Sequence, residues 1–177
     1  MLGGRPHSRE DLRYHLRSRL AHELWLVIVD ASASTRRHRA LTDAKGLLAQ
    51  LFDDAYRQRA RMALLTASGQ SPKWQVQGLK AKSLAGWLEQ LGAGGGTPLL
   101  AALTEAAHWL MARRKRYPAE QQRVLVITDG RLKDIAGLPL LACAGLLVDI
   151  ERGPIRLGRA QELAVGLQLE YRHIDRL

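Results

Sequence analysis

Hydrophobic positions along the chain fall into two periods, and their alternation sets the expected fold. Residues 24–29 (LWLVIV) form an unbroken apolar run of strand length, as expected for a central strand buried on both faces, and the run stops on Asp30. Residues 123–128 (RVLVIT) repeat the pattern and stop on Asp129. Residues 61–66 read as a further strand, residues 140–148 contain another that ends near Asp149, and 167–172 read as the last. After the Ser68–Pro72 turn, residues 73–77 (KWQVQ) alternate and predict an edge strand.

Between these runs the period lengthens to that of a helix. Leu41, Ala44, Leu48, Leu51 and Ala55 share one face of a first helix. Leu84, Trp87, Leu88 and Leu91 predict a short amphipathic helix closed by Gly92. Thr97 as N-cap with Pro98 at the first helical position opens another, with Leu99, Leu103, Ala106 and Leu110 on its stripe. That helix ends in the basic run 113–116, which suits its dipole and reads as a solvated helix end. A last helix is expected around 156–166. Strands alternating with helices predict an α/β fold: a doubly wound, mostly parallel sheet with helices on both faces and one antiparallel edge strand. Residues 1–22 read as a basic N-terminal arm, partly helical from 9 to 21, and 23–177 as the domain.

Composition narrows the class. The chain has 177 residues, 46% hydrophobic and 25% charged, which is globular and compatible with one domain. No apolar run reaches the roughly 18 residues a membrane helix needs. The charged N-terminus lacks the apolar stretch of a secretion signal, so a cytoplasmic protein is expected. A lone cysteine, Cys143, rules out an internal disulfide and a cysteine zinc cluster, and reads as core packing. The net charge of +10 suits docking onto an acidic protein or a solvated surface as well as nucleic acid. No alternation of basic and aromatic residues supports the last.

Chemistry is expected where strands end. Ligands of open α/β sheets bind outside the carboxyl ends of the strands, and Asp30 and Asp129 both follow such ends. If their strands are neighbours, the two carboxylates face one crevice, with Ser32, Ser34 and Thr97 close enough to join. Two carboxylates and three hydroxyls are hard oxygen donors, suited to Mg²⁺ or Mn²⁺ and poor for zinc or copper. Singly, each Asp is equally an N-cap or turn residue and Thr97 a plain cap; their combination carries the metal reading. The six histidines have no metal-binding spacing. The glycine loop 92–96 precedes a helix, but no P-loop lysine follows and Pro98 removes an amide that phosphate would use. No base flanks Ser32 or Ser34 to make either a nucleophile. Asp149, outside the five-residue pattern, is expected to be structural or to support the ligands. Trp74 and Trp87 would be interface candidates if exposed.

Asp30-x-Ser32-x-Ser34, Thr97 in a GGTPL context and Asp129 in TDG together resemble the metal-ion-dependent adhesion site of von Willebrand factor A (integrin I-like) domains. Residues 11–35, GGGTPLLAAL, VLVITDGR and LLVDIERGPIRLGRAQELA are similar to the C-terminal module of magnesium-chelatase D subunits and cobaltochelatase subunits. The resemblance covers about residues 11–172. Ala33 and Thr35 stand where that family usually has Gly and Met, while the ligand positions are kept. The resemblance implies a non-catalytic Mg²⁺ site that leaves one coordination position for a partner's carboxylate. The implied partner is an AAA+ ATPase chelatase subunit, with a large chelatase subunit beside it, in insertion of cobalt or magnesium into a tetrapyrrole, cobalamin biosynthesis included. The ATPase-like domain and acidic linker of D subunits do not precede the module here, so a stand-alone subunit is expected. Two other classes remain open: a Mg²⁺/Mn²⁺-dependent hydrolase using the same ligands, and a basic nucleic-acid-binding domain.

Overall fold

A computed structural model describes residues 22–31, 40–80, 98–132, 135–152 and 157–177. The arm up to residue 21, the expected helix at 84–91 and the glycine loop lie outside the described residues. Six strands form one sheet: β1 (Glu23–Asp30), β2 (Arg61–Ala67), β3 (Lys73–Lys80), β4 (Gln121–Thr128), β5 (Ala144–Asp149) and β6 (Glu170–His173). Their order is β3-β2-β1-β4-β5-β6. Every pair is parallel except β2–β3, so the expected antiparallel strand sits at the edge. Among the described residues the helices are α1 (Ala40–Arg57), α2 (Leu99–Arg116) and α3 (Arg159–Leu167), followed by a 3-10 turn at Ile174–Arg176.

Both faces of the sheet are covered because β1 carries apolar side chains to each. Leu24, Leu26 and Ile28 pack with Leu99, Leu103, Ala106 and Leu110 of α2 and with Leu163 and Leu167 of α3. Val27 and Val29 point the other way, into a cluster with Ala44, Leu48, Phe52 and Ala55 of α1. Leu51 is only partly buried there, and the side chain of Leu41 lies outside those described.

Several boundaries differ from the sequence reading, each for a local reason. β3 runs past Gln77 to Lys80, absorbing two register irregularities against β2. Helix α2 begins at Leu99, with Pro98 as its N-cap residue at ψ 41°. The Pro98 carbonyl accepts the first helical bond, from Ala102 N–H at 2.9 Å, so the proline caps the helix instead of opening it. Residues 140–143 do not join β5, and Ala142 there has a positive φ of 53°. Gln168, in left-handed geometry, donates its N–H to Ala164 and Val165 and closes α3, so β6 starts only at Glu170.

The basic end of α2 is also not fully solvated as expected. Arg113 makes a two-pronged pair with Glu120, Nε to Oε2 at 2.5 Å and Nη2 to Oε1 at 2.8 Å. The two side chains are only 11% and 4% exposed, and the guanidinium lies over Trp109 and Tyr117. Trp74 leaves β3 to meet Trp109, ring centroids 5.0 Å apart, and donates its indole N–H to Glu105. It is therefore packed against α2 and not a free interface residue.

Candidate metal centre

The strand order reverses direction between β1 and β4, the place where a doubly wound sheet opens a crevice at its carboxyl end. Parallel register sets Val29 opposite Ile127, so the next residues, Asp30 and Thr128, meet across that switch point. Asp30 is fully buried, and its Oδ2 accepts the Thr128 hydroxyl at 2.8 Å. The same hydroxyl oxygen accepts Gly130 N–H at 3.0 Å. On the other side, Ala31 N–H continues the ladder to Ala67 at 3.1 Å. The aspartate is thus held by backbone on one side and by a positioned hydroxyl on the other.

Asp129 follows Thr128 directly and is 5% exposed. Its Oδ1 accepts Arg131 N–H at 3.1 Å, an Asx turn that fixes the carboxylate relative to its own loop. Gly130 makes the turn possible. It has φ +68°, and a Cβ there would lie 2.5 Å from the Ala160 nitrogen, so only glycine lets the loop seat on the start of α3.

A second acidic pair lies one strand further on, past β5. Asp149 accepts Glu151 N–H and the Tyr171 hydroxyl, both at 2.8 Å, consistent with the structural role expected of it. Glu151 is 2% exposed. Its Oε2 accepts Leu157 N–H at 2.9 Å, while its Oε1 is buried without a hydrogen bond. Arg131 spans the two loops, with Nε 3.7 Å from Asp129 Oδ2 and Nη2 3.7 Å from Glu151 Oε1. Sequence reasoning missed Arg131 and Glu151. The signal available was the Asp149-Ile-Glu151 spacing, which puts a second acid just past a strand end.

Of the five expected ligands, Asp30 and Asp129 stand at adjacent strand ends, whereas Ser32, Ser34 and Thr97 lie outside the described residues. Among the described residues no group of three or more His, Cys, Asp or Glu is gathered for a metal ion. A site here therefore needs the hydroxyl donors of the flanking loops. Two dry carboxylates, Asp129 with the Arg131 guanidinium beside it, are hard oxygen donors that fit a hard divalent cation and offer nothing to a thiophilic one.

Comparison with known proteins places the fold. Residues 25–131 match the von Willebrand factor type A domain. The chain belongs to that family. Among relatives of this von Willebrand factor A domain, the uncharacterized protein Rv2850c of Mycobacterium tuberculosis is 29% identical over 185 residues, 95% of this chain and 29% of that protein. The magnesium-chelatase 67 kDa subunit of Chlorobaculum parvum is 34% identical over 126 residues, 67% of this chain and 18% of the subunit. The chain thus spans less than a third of the length of either relative. Two solved structures share the fold at low identity. The SpRpn10 VWA domain superposes with TM-score 0.63 at 14% identity, covering 86% of this chain and 88% of that one. Manganese-loaded Plasmodium vivax TRAP gives 0.66 at 16%, covering 88% and 69%. Among the described residues no helix is long and apolar enough to cross a membrane.

Proposed function

We propose that this domain is a non-catalytic, Mg²⁺-dependent protein-interaction module whose metal is held by Asp30, Ser32, Ser34, Thr97 and Asp129. The observation that carries the reading is the buried Asp30, oriented by Thr128 across the sheet's switch point, next to Asp129. The manganese in the TRAP neighbour supports a divalent ion, Mn²⁺ serving as well as Mg²⁺. When bound, the ion supplies a Lewis-acidic vertex that a partner's carboxylate can fill. The chain's own residues keep two carboxylates dry at adjacent strand ends, and the three hydroxyls would add neutral donors and leave that vertex open.

The likeness to magnesium-chelatase subunits supports the partner. It is an AAA+ ATPase subunit presenting an acidic residue, in a cytoplasmic complex with a large chelatase subunit that inserts magnesium or cobalt into a tetrapyrrole. In that arrangement ATP is hydrolysed elsewhere, and metal and partner raise each other's affinity by the same factor. The test is capture of the cell's AAA+ chelatase subunit by the immobilised chain with and without EDTA. Wild type captures it in Mg²⁺ and releases it in EDTA, and Asp30→Ala captures none while keeping its circular dichroism spectrum. Equal capture by both proteins sinks the proposal. Turnover of phosphate esters by wild type but not by Asp30→Ala would instead favour a hydrolase.

A further inference from the structure

We propose that Arg131 is a resident counter-ion of the metal site, set between Asp129 and Glu151 so that its charge weakens the hold of Asp129 on a divalent cation. This rests on the metal-site reading above and adds a determinant of its affinity. The guanidinium faces Asp129 Oδ2 and Glu151 Oε1 at 3.7 Å each, ion-pair distance without a hydrogen bond to either. Its side chain is 37% exposed, whereas those of the two acids are 5% and 2%. The acids are also the fixed members. Asp129 is pinned by Arg131 N–H. Glu151 is pinned by Leu157 N–H at its Oε2, by its own N–H to Asp149, and by His173 Nε2, 3.0 Å from its carbonyl oxygen. A solvent-facing cation therefore sits between two buried anions that cannot follow it.

Two consequences have opposite sign. A divalent ion arriving at Asp129 meets a like charge nearby, and that repulsion falls off only slowly in a partly dry crevice. Glu151 counters it by giving the guanidinium a second anion to rest against. Removing the Arg131 charge should tighten metal binding. Removing the Glu151 charge should loosen it, because Arg131 is then left with Asp129 alone.

The experiment is calorimetric titration of the full chain with Mg²⁺ and with Mn²⁺ at fixed ionic strength, with folding checked by circular dichroism. Arg131→Gln should bind about tenfold more tightly than wild type, the order expected for one partly screened charge beside a divalent ion. Arg131→Lys keeps the charge and should stay near wild type, and Glu151→Gln should bind at least about threefold more weakly. Unchanged or weaker binding by Arg131→Gln overturns the proposal, and would make Arg131 a residue that merely orients Asp129. Should Arg131→Gln fail to fold, wild-type affinity in Glu151→Gln overturns it equally. Wild type that takes up no metal removes the metal-site reading itself, a separate arm of the same titration, and this proposal with it.

Discussion

Cys143 stands half-buried against the α2 and α3 face of the sheet. Loss of water pushes its thiol pKa up, and the Arg114 guanidinium pulls it only partly back. The folded protein therefore favours the protonated thiol. The sign for stability follows: the contribution is fully present below the thiol's unfolded pKa and is lost as pH rises through the higher folded value. At mildly alkaline pH the thiolate is the nucleophile, so iodoacetamide should modify native Cys143 at least about threefold more slowly than the urea-unfolded chain. Equal rates would mean that the thiol is not shielded. Asp30 is the contrasting case: it is fully buried yet keeps a fixed donor, because the Thr128 hydroxyl donates to its Oδ2 at 2.8 Å.

The end of α2 shows what an element contributes beyond its own sequence. A run of four basic residues reads as a solvated terminus, yet Arg113 turns inward to Glu120 and to the faces of Trp109 and Tyr117. Breaking that pair by Glu120→Ala leaves a nearly buried guanidinium without its anion. Urea denaturation should then show a loss of about 3 kcal/mol or more, the usual cost of an orphaned buried charge. A value under about 1 kcal/mol would show the guanidinium to be solvated after all. Elements whose signal is local were legible in the sequence. The apolar runs at 24–29 and 123–128 became β1 and β4, and the stripe Leu99, Leu103, Ala106 and Leu110 faces the core. Asp30 and Asp129 were legible for the same reason, because each ends such a run. What escaped depends on partners far along the chain. Glu120 follows Arg113 by seven residues through a turn, and Glu151 meets Arg131 only because β5 lies beside β4. The C-terminal boundary of α3 escaped because a left-handed Gln168 sets it, and glutamine does not announce that geometry.

At the scale of the molecule, the sheet joins residues 98 positions apart, the Thr128 hydroxyl and Asp30. An unfolded chain has no reason to keep Asp30 and Asp129 together, so a divalent ion should bind the native state almost exclusively. Linkage then makes the ion a stabiliser by about 2.7 kcal/mol at a hundred times its dissociation constant. For a domain of this size that corresponds to a rise in Tm of roughly 5 to 10 °C. The charge of +10 complicates the reading, because any salt screens self-repulsion and raises Tm somewhat. The measurement is therefore a melt in MgCl₂ against NaCl of equal ionic strength. Wild type should gain stability in Mg²⁺ beyond the NaCl control, climbing with the logarithm of concentration above saturation. Asp30→Ala, though less stable from the start because Thr128 loses its acceptor, should melt identically in both salts. A Mg²⁺-specific rise of the same size in Asp30→Ala would put the ion somewhere other than the switch point between β1 and β4.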